Sequence, residues 1–151
     1  MIRISVACPQ ENIPIDRRRM REVVLTVLRG EEVQDAEISL AFVDSPTIRQ
    51  LNQRFLQHDE PTDVLSFPLS DSPSGKLGGE LVIGAEVAQL QAQAGGHAVD
   101  AELALYVIHG LLHLCGYDDK TEEGAAEMRT KERRYLKEMG FPDIAPKEHG
   151  A

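Results

Sequence analysis

Two histidines, His109 and His113, stand four residues apart in the run ALYVIHGLLHLCGYDD, most of whose other members are apolar. On a helix that interval puts both imidazoles on one face, near enough to grip a single ion. A lone histidine in such a run is usually a hydrogen-bonded core residue. A second one at this spacing moves the reading toward a metal site. Gly116 then turns the chain, so that an acidic residue just beyond it can fold back as a third ligand, with Asp118 and Asp119 as the candidates. Two imidazoles and a carboxylate suit zinc, and a coordination position left open separates a catalytic zinc from a structural one. Cys115, beside the pair, reads as a buried, inert thiol. His58, His97 and His149 lie in polar contexts and read as solvent-facing.

The elements that must position these residues are legible in turn. Ile2, Ile4 and Val6 alternate with polar neighbours, the period of a half-buried strand. Met20, Val23, Val24, Val27 and Leu28 then follow helical spacing, with Gly30 placed to stop the helix in a left-handed cap. Ile38, Leu40 and Phe42 mark a second strand. Asp44-Ser45-Pro46 signals a helix start, with Ile48, Leu51 and Phe55 as its buried stripe. VLSFPL reads as a short strand ended or edged by Pro68, and the Ser-, Gly- and Pro-rich stretch 70–79 as a flexible loop. ELVIG is a compact apolar strand leading into a helix with Val87, Leu90 and Ala94, broken by Gly95-Gly96. From Ala98 to Leu114 the chain is apolar almost all round, as in a helix buried at the centre of a fold. A last amphipathic helix spans 122–139, with Ala125, Met128, Tyr135 and Leu136 inward, and residues 141–151 read as a loose tail. The fold class is α/β (α+β): a single domain over 1–151, a short mixed sheet packed against helices, one of them buried and bearing the metal.

Bulk properties narrow the function. A chain of 151 residues with 42% hydrophobic and 27% charged residues suits one globular domain. No stretch approaches the roughly 20 apolar residues of a membrane span, the N-terminus lacks the pattern of a secretory signal, and two cysteines make no disulfide framework. The expectation is a soluble cytoplasmic protein. A net charge of −9, from 16 basic and 25 acidic side chains, argues against binding nucleic acid through the field of the whole protein. Two basic clusters remain, Arg17, Arg18, Arg19 and Arg21 near one end and Arg129, Lys131, Arg133, Arg134 and Lys137 near the other. Charge patterning favours solvated helix faces for both.

The segment from His109 to Asp119, HGLLHLCGYDD, closely resembles the signature H-G-x-L-H-L-x-G-Y-D-H of the YbeY family. PTDVLSFP at 61–68 resembles that family's other well-known block, and Leu51-Asn52 and LGGELVIG continue the likeness in order. The resemblance implies a metal-dependent, single-strand endoribonuclease acting in ribosomal RNA maturation and ribosome quality control. The implied partners are ribosomal RNA and ribosome-associated proteins, and the implied site is His109, His113 and Asp119 around one divalent ion. Two positions depart from the family. Its third metal-binding histidine aligns with Asp119; a carboxylate still ligates zinc, but makes the centre less positive and a weaker Lewis acid. Leu56 stands where the family typically has an arginine regarded as important for RNA cleavage. Arg54 does not simply replace it, because two residues along a helix is roughly 200° of rotation.

Two alternatives carry different chemistry. The pattern H-x-x-x-H-x-x-G-x-x-D also matches metzincin-like zinc proteases, whose general base is a glutamate directly after the first histidine. That residue here is Gly110, which argues against peptide hydrolysis. The other is a non-catalytic ribosome-associated factor with a structural metal, which Leu56, Asp119 and the acidic balance favour. No residue is an obvious general base. Ser66 and Thr62 can offer hydroxyls, and Asp63 and Asp118 are better placed to orient loops or the groups around the ligands.

Overall fold

The computed structural model describes residues 1–56, 63–69 and 76–145. The alternating pattern at the N-terminus makes β1 (Ile2–Ala7), and the amphipathic run after Asp16 makes α1 (Arg17–Gly30). The chain continues through β2 (Ala36–Val43), α2 (Ser45–Leu56), β3 (Val64–Pro68) and β4 (Leu77–Gly84). It closes with three helices, α3 (Ala85–Gly95), α4 (Val99–Leu114) and α5 (Glu122–Glu138). The four strands form one mixed sheet in the order β1-β2-β4-β3. β1, β2 and β4 run parallel, while β3 is antiparallel at the edge. Pro68 ends that strand where its missing N–H costs no ladder bond.

The period of two along the strands sorts side chains onto two faces. Ile38, Leu40, Phe42, Leu81 and Ile83 join the main core with α1, α4 and α5, whereas Val43, Leu65 and Val82 meet Ile48 of α2 in a smaller cluster. α4 packs on α1, α3, α5, β3 and β4 together, so it is buried nearly all round, as its unbroken apolar run requires. Each of its fully buried leucines contributes about 2 kcal/mol of transfer free energy. Asp16 and Thr121 cap α1 and α5 through their side chains, and Asp44 accepts from the Thr47 amide at 2.9 Å.

Several expectations need correction. Gly30 is still helical, and the left-handed residue near it is Glu32 with φ 60°. The buried stripe of α3 is Ala85, Ala88 and Ala92, with Leu90 65% exposed, because small residues let α3 lie close on α4. Phe55 is 54% exposed and meets Phe67 edge to face instead of entering the core. β4 begins at Leu77, so residues 77–79 of the supposed loop are paired with β2 and β3. The segment after α5 is not loose as far as Ala145. Phe141 and Ile144 pack on the core and Ala145 is buried, because their apolar side chains reach α1 and α4 once the helix has ended. Thr62, His58 and His149 lie outside the described residues, as does the side chain of Leu56.

Candidate metal centre

α4 delivers His109 and His113 edge to face, ring centroids 4.6 Å apart, with their Nε2 atoms 3.1 Å from each other. The helix then closes in a two-bond cap, the Tyr117 amide reaching the Leu112 carbonyl and the Gly116 amide the His113 carbonyl. Gly116 takes φ 100°, which a side chain would strain, and this turn brings Asp119 back over the histidines. The Asp119 carboxylate lies 3.8 Å from His109 Nε2 and 3.9 Å from His113 Nε2. One donor atom from each of the three residues fits within 4.8 Å. Of the two aspartates, Asp118 points away and accepts from the Lys120 amide at 2.9 Å, organising the loop.

The surroundings fix the state of His109. Glu132, fully buried on α5, accepts from His109 Nδ1 at 2.7 Å, leaving the lone pair on Nε2. The Tyr117 backbone beside His113 favours the protonated ring. Burial, reinforced by neighbouring His109, still holds His113 below its ordinary value, despite Asp119, the Tyr117 backbone and Asp118 pulling the other way. The two facing Nε2 atoms are satisfied by a shared proton or by a cation. Two nitrogens bound to one tetrahedral zinc stand roughly 3.3 Å apart, close to the spacing seen here. The donor set therefore fits a divalent ion.

Three further groups complete the centre. Arg129 donates to Glu132 Oε1 at 2.8 Å and lies 3.8 Å from Asp119 Oδ2. Glu31, just past α1, accepts from Tyr117 at 2.6 Å and from Tyr135, and Lys131 sits 3.3 Å away. This ties the loop carrying Asp119 to α1 and α5. His109 opens onto a cavity of 640 Å³ lined also by Asp63, Glu102, Tyr106, Asp119 and Arg129. On its other side lies a groove of 290 Å³ along β3, with Ser66, Pro68 and His113.

Sequence reasoning did not single out Glu132, Arg129 or Glu31 as parts of this centre. A signal for Glu132 was present: it stands on the inward stripe of α5 between Met128 and Tyr135-Leu136, where an unpaired carboxylate would be costly. His97 is not solvent-facing: its Nε2 lies 2.7 Å from Glu102 Oε1, with only 15% of the side chain exposed. Ser66 donates to the Gly110 carbonyl at 3.4 Å, and Asp63 accepts from the Val64 amide at 2.7 Å. Cys115 is half-buried rather than buried, and burial, with Glu31 nearby, pushes its thiol up to about 11. The basic clusters are largely occupied. Arg17 and Arg19 reach the Val6 and Met139 carbonyls, Arg133 faces Asp143, and Arg134 faces Glu138. A Cβ on Gly110 would come within 2.8 Å of Leu81 and 3.2 Å of Val64. The helix thus lies too close to the sheet for the glutamate a protease needs there.

A sequence model of the family described as endoribonuclease YbeY matches residues 5–140. The chain belongs to the YbeY family. It is 37% identical over 134 residues to an endoribonuclease YbeY of Carboxydothermus hydrogenoformans, covering 87% of this chain and 94% of that one. To the endoribonuclease YbeY of Nautilia profundicola it is 44% identical over 108 residues, 72% of this chain and 76% of the relative. The solution structure of TM1509 from Thermotoga maritima superposes with a TM-score of 0.59 at 25% identity, over 97% of this chain and all of that one. Among the described residues, no helix is long and apolar enough to cross a membrane.

Proposed function

We propose that this YbeY-family protein is a metal-dependent endoribonuclease that cuts single-stranded RNA during ribosomal RNA maturation in the cytoplasm. Its metal is zinc, held by His109, His113 and Asp119. The observation that carries the reading is the convergence of those three donors, with Glu132 turning the His109 lone pair toward them. When bound, the ion supplies a Lewis acid for a phosphoryl oxygen and lowers the pKa of water.

The chain's own residues do the rest. Glu132 keeps His109 in the ligating tautomer, and Arg129 holds Glu132 and Asp119 in register. The groove along β3 and the cavity beside α4 leave room for a strand to pass on both sides of His109. That openness favours catalysis over a structural metal, which takes four protein ligands, whereas the grouping among the described residues numbers three. The acidic balance and the occupied arginines make RNA binding depend on local contacts, with ribosome-associated proteins as the natural source of added affinity.

The test is metal content together with cleavage of ribosomal RNA, for wild type, His113→Ala and Asp119→His. One ion per chain, with cleavage lost in His113→Ala and raised in Asp119→His, supports the reading. Bound metal without cleavage in wild type and Asp119→His points to the ribosome-associated factor. Absence of metal removes the proposal.

A further inference from the structure

We infer that Arg129 is the internal counter-ion of this centre, a positioning residue that holds Asp119 and Glu132 together without a metal and competes for Asp119 when one binds. The inference rests on the metal reading above and goes beyond it, because it sets how tightly the ion is held.

Two carboxylates meet one guanidinium here. Arg129 Nη1 lies 2.8 Å from Glu132 Oε1, and its Nη2 lies 3.8 Å from Asp119 Oδ2. The Arg129 side chain is 14% exposed and Glu132 is fully buried, so water screens that pair weakly, while Asp119, 36% exposed, is the more screened partner. Neither carboxylate is spare: Glu132 orients His109, and Asp119 is the third donor of the group. Without the guanidinium, the two negative groups would flank His109, one at each ring nitrogen, with this cation no longer there to offset their repulsion. A divalent ion relieves the same repulsion. The two cations are therefore alternatives for one excess of negative charge, and each weakens the hold of the other.

This gives a sign that a simple scaffolding role does not. If Arg129 only held its partners in place, removing it would loosen the site and weaken metal binding. As a competing counter-ion, it restrains metal binding, so its removal tightens it. The planar fork matters less than the charge, and lysine should substitute for affinity even though it cannot bridge both carboxylates.

The experiment measures zinc and cobalt(II) affinity by chelator competition for wild type, Arg129→Gln and Arg129→Lys, and for Arg129→Gln in the Asp119→His background. Melting with and without metal is recorded for each, and Arg129→Met supplies a second neutral variant if glutamine does not fold. The expected result is metal binding tighter by about five- to tenfold in the neutral variant and within about twofold of wild type in Arg129→Lys. The neutral variant melts lower than wild type without metal, and saturation narrows that gap. In the Asp119→His chain, which lacks the shared carboxylate, the gain shrinks by at least about threefold. Weaker binding in the neutral variant, an equal change in the glutamine and lysine variants, no change in either, or an undiminished gain beside Asp119→His overturns the inference. Failure of every chain to bind metal removes the metal reading itself, a result distinct from all of these.

Discussion

Removing the Glu132 carboxylate should damage this protein twice, once in folding and once in metal binding. The side chain is fully buried and accepts two charge-assisted hydrogen bonds, from His109 at 2.7 Å and Arg129 at 2.8 Å. In Glu132→Ala the Arg129 guanidinium keeps its charge in a largely buried place with its nearest partner gone, a loss of about 3–5 kcal/mol for a buried pair broken on one side. For a chain of this length each kcal/mol lowers the melting temperature by about 2–4 °C, so the metal-free protein should melt roughly 6–20 °C lower. His109 also loses the acceptor that fixes its tautomer, which should weaken metal binding by roughly 10–100-fold. Glu132→Gln keeps the volume and separates the two effects. Its amide oxygen can still accept from His109, so affinity should fall less than in the alanine variant while stability still drops. Melting in chelator gives the first quantity and metal competition the second. A Glu132→Ala protein with wild-type melting and wild-type affinity would refute the reasoning, because both losses follow from one buried carboxylate.

Other consequences are as concrete. Gly110→Glu should either prevent folding or destabilise the protein by more than the roughly 1–3 kcal/mol of ordinary overpacking, since its Cβ alone meets Leu81 and Val64; urea denaturation measures this, and no peptidase activity should appear. Glu31 is pushed up by burial, but hydrogen bonds from Tyr117, Tyr135 and Lys131 win and hold it below its ordinary value of 4.5. Its stabilising contribution is therefore complete above that value and lost as pH falls through the lower folded one; Glu31→Gln should lower stability near neutrality and flatten the acid limb of a stability–pH curve. In a Cys8→Ser chain, Cys115 should react slowly with thiol reagents at pH 8 and quickly once unfolded, because burial holds the thiol protonated up to about 11.

The parts of this protein set by local pattern were legible in its sequence. A hydrophobic run with two histidines four apart dictates a buried helix with both rings on one face, because helical periodicity is a property of the chain itself. Gly116 announces the turn that follows, and the alternation in β1 and β2 announces strands, since each depends on neighbours within a few residues. Gly110 likewise excluded the protease base without any coordinates. What needed the fold was every relation between distant segments. Residue spacing left Asp118 and Asp119 open and only the family likeness chose Asp119; the turn after α4 gives the physical reason, sending one to the Lys120 amide and the other to the histidines. Glu132, Arg129 and Glu31 reach the centre only because α5 and the end of α1 pack beside α4. Their roles come from burial, which turns an ordinary helix carboxylate into a group that must be paired. Leu90 and Phe55 make the same point in reverse. Helical spacing marked them as core, but Leu90 stays 65% exposed and Phe55 54% exposed, because a periodic pattern does not say which elements pack against it.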